Sequence, residues 1–391
     1  MSDQNHIGFF EADACNLAEF KTLIDQTQIS EHVPHAADIQ KSVPIYDMAK
    51  LRPLLEEKKS RREILIEWAR VFMSGSGVLV LKGAYADTSV IDEVTTVYEM
   101  VIAAEKLESG GGSDHFAATG ANDRIWNSLQ KLCERDPALY LRYFANTSIA
   151  AACEAWLGPN YQMTAQVNLV HPGGEAQRAH RDYHLGFQTA DVCAKYPAHV
   201  HDLSPTLTLQ GAIAHVDMPV ESGPTKLLPF SQTYRAGYAA WRRDDFRDLF
   251  EERCIQLPLA KGDALFFNPA LFHAAGANTS TDIHRMANLM QISSAFGRAL
   301  EAIDRKKMCK AIYPHALQAQ QSGLLNPSEL HAAVACTAEG YPFSTNLDQD
   351  PPVGGLAPES QQAYFTRALA ETPSESDFND HLDQMSAKQQ A

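Results

Sequence analysis

The sequence contains no apolar run near the roughly 18 residues that a helical membrane span requires, so no membrane partner is expected. It has no Cys-x-x-Cys pair. Its seven cysteines are scattered from Cys15 to Cys336 and odd in number, which predicts reduced thiols in a cytoplasm. Positive charge is scarce: 33 Lys and Arg stand against 48 Asp and Glu, a net charge of −15 that would repel a phosphate backbone. The few basic clusters, such as Lys58-Lys59-Ser60-Arg61-Arg62, read as one face of a helix, so nucleic acid is not an expected partner. The first 15 residues lack the basic start and apolar stretch of a signal peptide. Gly-x-Ser-x-Gly, Walker and His-Glu-x-x-His motifs are missing too, which leaves Gly75-Ser76-Gly77 and Gly110-Gly111-Gly112 as loop glycines.

What remains is a composition suited to folding, with 45% hydrophobic and 21% charged residues. Residues 1–60 are polar and broken by Pro34, Pro44 and Pro53, and are expected to form a helical and irregular arm. A buried-strand pattern follows at Gly77 to Lys82, then a helical run from Val90 to about Leu107. After a glycine-rich loop, a second helical stretch runs from Arg124 to Leu157, where Gly158-Pro159-Asn160 stops it. From Tyr161 to about Phe296 the chain changes to short strand-like runs between Gly, Pro and Asn turns. That pattern predicts a mainly β core, an antiparallel barrel or sandwich with flanking helices. The expected divisions are the arm at 1–60, a strand-rich domain with covering helices at 61–310, and a helical and irregular extension at 311–391, which would wrap the core or cap a homodimer.

The densest chemistry lies at His180-Arg181-Asp182. In an extended chain residues i and i+2 share a face, so an imidazole and a carboxylate stand side by side, half of a 2-His-1-carboxylate facial triad for iron(II). His273 is the candidate third ligand. It follows the turn at Lys261-Gly262-Asp263, a strand, and a second turn at Asn268-Pro269. A rival pair exists at His215 and Asp217, but Asp217 runs into Met218-Pro219, where an Asp bonding turn amides is the expected role. Twelve residues after His273, Arg285 opens another strand, where a guanidinium could clamp a carboxylate bidentately.

These blocks resemble the phytanoyl-CoA dioxygenase family of iron and 2-oxoglutarate enzymes. The resemblance runs from Gly77-Val78-Leu79-Val80 through His180-Arg181-Asp182 and Glu221-Ser222-Gly223-Pro224 to Gly262-Asp263, His273-Ala274-Ala275-Gly276 and Arg285. It implies a double-stranded β-helix (jelly roll, cupin-like) core, with Fe(II) held by His180, Asp182 and His273. It further implies 2-oxoglutarate paired with Arg285, O2 as the oxidant and a small-molecule substrate. Halogenating relatives lack the carboxylate ligand, so Asp182 points to hydroxylation, desaturation or ring chemistry. Two departures stand out: Phe230-Ser231-Gln232 replaces a Gly-Ser-His turn, and Ala275 replaces a hydroxyl residue that would bond the co-substrate.

Gln166 and Asn168 share a strand face that meets the co-substrate in this family, or else face solvent. His184, two residues beyond Asp182, is expected on the ligand face as a substrate contact, the other reading being a bonded loop histidine. His115 sits in a loop that could fold over the mouth. The alternative to an oxygenase is a cupin-like metal-binding module or sensor without turnover.

Overall fold

The computed structural model describes residues 8–109, 121–354 and 357–390. Eight strands form one sheet in the order β1-β2-β3-β8-β6-β10-β5-β4, and β7 pairs with β9 in a small second sheet. The strands are β1 (Asp38–Gln40), β2 (Val43–Asp47), β3 (Val78–Lys82), β4 (Asn122–Ile125), β5 (Gln162–Val170), β6 (Thr208–Ala214), β7 (Lys226–Leu228), β8 (Ala264–Phe267), β9 (Phe272–Ala274) and β10 (Arg285–Ser293). All pairings are antiparallel except β2 with β3.

The centre of the large sheet is its most regular part. β5 and β10 pair over nine residues from Arg285 opposite Val170 to Ser293 opposite Gln162, and β6 pairs along the other edge of β10. All three are largely apolar runs interrupted by polar residues, among them Gln166 and Asn168 in β5, Gln210 in β6 and Gln291 in β10. In a period-2 strand such an interruption points to one face. The turn before β8 is set by Gly262 at φ 88° and by Asp263, whose carboxylate accepts the amides of Ala260 and Gly83.

The small sheet is a ladder one row deep at its centre. Ile255 bridges Leu227, Leu227 faces His273 across β7 and β9, and His273 bridges His180. This row lies opposite the face of the large sheet, and the two sheets enclose the main cavity in jelly-roll fashion. Helices outweigh strands, at about 48% against 16% of residues. They pack outside the sheets, so the strand core is a minority of the chain that positions everything in the site.

Three sequence expectations change. The arm contributes β1 and β2, joined by Lys41 and Ser42, both at positive φ. That two-residue turn matches the twist of a hairpin, although neither residue is the usual Asn or Gly, which hid it from sequence reading. Arg124 lies on β4, not in a helix, and the stretch beyond it divides into helices Ser128–Arg135, Pro137–Phe144 and Thr147–Leu157. The boundary at 311 falls inside helix Arg305–Ser322, whose Met308, Ile312 and Tyr313 share one apolar core with Leu129, Leu132 and Tyr140. The C-terminal helices are therefore part of the same packed unit. Among the described residues no helix is long and apolar enough to cross a membrane.

Candidate metal centre

His180 and His273 are joined by their backbones. Each donates its N–H to the other's carbonyl, at 3.0 and 3.1 Å, which brings the two rings to a centroid distance of 4.5 Å. Each ring is oriented in the same way: Nδ1 of His180 lies 2.8 Å from the Arg178 carbonyl, and Nδ1 of His273 lies 2.8 Å from the Leu271 carbonyl. A carbonyl can only accept, so Nδ1 carries the proton and Nε2 is left with its lone pair, the tautomer a metal needs.

Both Nε2 atoms face Asp182, at 3.6 Å from Oδ1 for His180 and 3.3 Å from Oδ2 for His273. The three ligand atoms lie within 4.8 Å of one another, and among the described residues no other three metal-binding side chains come together in this way. Burial lowers the pKa of His180, which keeps its imidazole neutral. Burial opposes ionisation of Asp182, yet its carboxyl is held below the usual range, with the hydrogen bond from Gln210 favouring the carboxylate. Two imidazoles oriented through Nδ1, with Nε2 turned inward, and one carboxylate fit a divalent iron site with positions to spare.

The segment between the ligands is anchored from below. Arg181 is fully buried between the rings of Tyr238 and Phe272, and its Nη2 donates to the carbonyls of Ser231 at 2.6 Å and Tyr234 at 2.9 Å. This explains the altered turn. Phe230 takes φ 67°, a conformation glycine adopts more readily, while Ser231 keeps its carbonyl on Arg181 and accepts the Phe272 amide at its Oγ. The bulkier turn thus still holds the loops that carry His180 and His273.

Beyond Asp182 the extended chain ends. Tyr183 and His184 both have positive φ, and His184 opens a short 3-10 turn ending at Phe187. The i, i+2 argument for His184 is therefore corrected: its ring bonds Ser204 Oγ at 3.1 Å and does not line the cavity. His115 lies outside the described residues.

The cavity has a volume of about 1060 Å³ and is lined by the triad together with Gln166, Asn168 and Arg285. The two strand residues face this cavity, not solvent. Gln166 accepts from Arg124 at 3.0 Å, and Asn168 is only 8% exposed. Arg285 is buried, and its Nη1 donates to the carbonyls of Ser222 and Gly276. Burial lowers its pKa to about 10, and among the described residues no charged neighbour offsets that burial. A buried guanidinium left in this state is costly until a carboxylate joins it. Ala275 also lines the cavity and brings no hydroxyl to it.

Sequence reading missed Gln210, which donates to Asp182 Oδ2 at 2.6 Å. It stands directly across from Gln291, which accepts from the Tyr183 hydroxyl at 2.5 Å. The available signal was a polar residue inside each largely apolar strand.

The rival pair takes the structural role expected of it. Asp217 accepts the Lys261 amide at 2.8 Å, and His215 is buried between Thr95 Oγ1 at 2.9 Å and the Tyr143 hydroxyl at 2.8 Å. Burial depresses the His215 pKa from 6.5 to about 3. The unfolded chain therefore binds a proton there that the folded chain refuses, so stability falls as pH drops below 6.5 toward 3. Between pH 7 and pH 5 this group should remove about 2 kcal/mol of stability. Denaturant unfolding at the two pH values should show that loss reduced by about the same amount in His215→Gln. An equal pH dependence in both proteins would mean that the site accepts the proton.

The comparisons with known proteins follow this geometry. The family model described as phytanoyl-CoA dioxygenase (PhyH) matches residues 73–287, more than half of the chain. Dioxygenase andF of Emericella variicolor is 28% identical over 142 residues, covering 34% of this chain and 43% of that protein, so the chain spans less than half the length of that curated relative. Among solved structures, the non-heme alpha ketoglutarate dependent epimerase SnoN from nogalamycin biosynthesis aligns at 20% identity with a TM-score of 0.39, covering 60% of this chain and 84% of SnoN. EvdMO1 aligns at 19% identity with a TM-score of 0.43, covering 59% of this chain and 50% of its own. With the matched region running from just before β3 into β10 and including all three candidate ligands, the chain belongs to the phytanoyl-CoA dioxygenase family.

Proposed function

We propose that this protein is an Fe(II)- and 2-oxoglutarate-dependent dioxygenase that hydroxylates, or otherwise oxidises, an unactivated C–H bond of a small molecule and releases succinate and CO2. The observation that carries this reading is the pairing, in one cavity, of a His-Asp-His triad with a buried Arg285 that no carboxylate among the described residues neutralises. His180, Asp182 and His273 would hold the iron, and Arg285 the far carboxylate of 2-oxoglutarate, with Gln166 and Asn168 as polar contacts from β5. Bound iron with 2-oxoglutarate and O2 supplies the oxidising power for C–H cleavage.

The chain's own work is placement. The Nδ1 bonds to Arg178 and Leu271 keep both imidazoles aimed, and Gln210 holds the Asp182 carboxylate between them. Leu257, Leu259, Leu265 and Phe267 wall the cavity with apolar surface, which keeps water from the reacting bond once substrate fills it.

Purified protein supplied with iron(II), 2-oxoglutarate and O2 should form succinate slowly even without a substrate, and faster when a true substrate is added. A cupin-like metal-binding module or sensor would form none. Absence of succinate from protein shown to bind iron would favour that alternative.

A further inference from the structure

Among the described residues, cavity-lining side chains leave three buried acceptor oxygens without a hydrogen-bond partner, Asn168 Oδ1, which lies on the co-substrate side, and two others. Gln210 is 4% exposed, and its Nε2 is committed to the Asp182 carboxylate. A carboxylate only accepts, so the amide cannot be turned around, and Oε1 must be the atom left over. That oxygen is buried without a partner. Glu301 is the second case. Its Oε1 accepts the Asn127 amide at 2.7 Å, while its buried Oε2 has no partner. Both residues line the same cavity as the metal triad.

The same cavity has a broad apolar part, with Met218, Leu257, Leu259, Leu265, Phe267 and Leu289 among its lining residues. We infer that the substrate is a largely apolar molecule carrying at least two hydrogen-bond donors, hydroxyl or amine, one received by Gln210 Oε1 and one by Glu301 Oε2. The inference rests on the dioxygenase reading of the site and gives that site a substrate class. Buried acceptors left unmet are costly, so a ligand lacking the donors is penalised by more than the missing bond. Burial is the main influence on Glu301 and raises its pKa; the Asn127 and Ala165 amides and the Gln166 side chain pull it partly back, and a donor on the ligand at Oε2 would add to them.

Gln210 has a further consequence for regiochemistry. Because its other end is tied to a metal ligand, a donor held at Oε1 lies one side chain away from the metal centre, and the oxidised carbon should be near that donor. The cavity also holds one unpartnered indole donor, Trp241 Nε1. A ketone could satisfy the indole but would leave both oxygens bare, whereas a hydroxyl can serve either kind of partner.

The test uses one rigid apolar skeleton with two sets of polar ends, androstanediol and androstanedione. The full chain is loaded with manganese(II) and 2-oxoglutarate to prevent turnover, and binding is read by tryptophan fluorescence, since Trp126 and Trp241 line the cavity. The diol should bind at least about tenfold more tightly than the dione. Glu301→Gln keeps an oxygen for Asn127 and presents an NH2 to the ligand, so it should cut the diol preference by about tenfold. Glu301→Ala should reduce the preference as well, and serves if the glutamine variant fails to fold. Equal affinities in the wild type, no binding of either probe, or an unchanged preference in the folded variants would overturn the inference. The anaerobic iron and 2-oxoglutarate absorption band separates the two levels: its presence with no diol preference sinks the substrate class alone, and its absence sinks the dioxygenase reading.

Discussion

Asp182→Ala should abolish the weak visible charge-transfer band that wild-type protein gives with iron(II) and 2-oxoglutarate under argon, and should weaken iron binding by more than about 100-fold. The estimate follows from the site's chemistry: losing even an outer partner of a metal ligand costs about 10- to 100-fold in affinity, and Asp182 is the only anion of the triad. The two histidines alone would leave a divalent ion without charge compensation. Folding should survive the change, because the backbone bridge between His180 and His273 and the Arg181 anchor do not use the Asp182 side chain. Asp182→Glu tests geometry against charge: it keeps the anion but moves it by one methylene, and should recover part of the metal affinity. A band of wild-type strength in Asp182→Ala would refute the ligand assignment. Gln210→Leu offers a graded comparison, since it removes the hydrogen bond that orients the carboxylate while keeping every ligand.

The parts of this site that could be read from the sequence share one property, a fixed spacing within a short stretch. His180 and Asp182 are two residues apart in an extended segment, and Arg285 opens the strand that follows the His273 loop, so order along the chain carried them. Residues that act through sheet register carried no such mark. Gln210 reaches Asp182 only because β6 lies against β10, and Glu301 meets the cavity from a segment beyond the last strand. His184 shows the opposite error. Its spacing was right, but two consecutive residues with positive φ rotate the chain after Asp182, and periodicity cannot anticipate a turn built from Tyr and His. The fold divided along similar lines. Apolar runs announced β3, β5, β6, β8 and β10, while β1 and β2 were hidden by Pro44 and an uncommon hairpin turn. The C-terminal helices looked like an appendage because sharing of a core between residues 129 and 312 is a tertiary fact.

Arg285 is where the proposed co-substrate can be tested apart from the metal. In Arg285→Met the apparent Km for 2-oxoglutarate should rise by about 30-fold or more, because truncating one partner of a buried charge pair typically costs 2 kcal/mol or above. Metal binding should be nearly unchanged: Arg285 bonds to Ser222 and Gly276, and none of its contacts involves His180, Asp182 or His273. The physical basis is the state of the guanidinium itself, which is 7% exposed and has its basicity lowered by burial, with no anion among the described residues to offset the cost. Binding a carboxylate there relieves that cost, so 2-oxoglutarate should raise the melting temperature of the manganese-loaded wild type and leave the variant almost unmoved at the same concentration. Arg285→Lys adds a second distinction. A lysine keeps the charge but lacks the planar fork, and should recover only part of the affinity. Equal loss of metal and 2-oxoglutarate binding in Arg285→Met would instead make Arg285 a structural brace for the Ser222 and Gly276 loops. A full melting shift in Arg285→Met would move the co-substrate's far carboxylate to another part of the cavity.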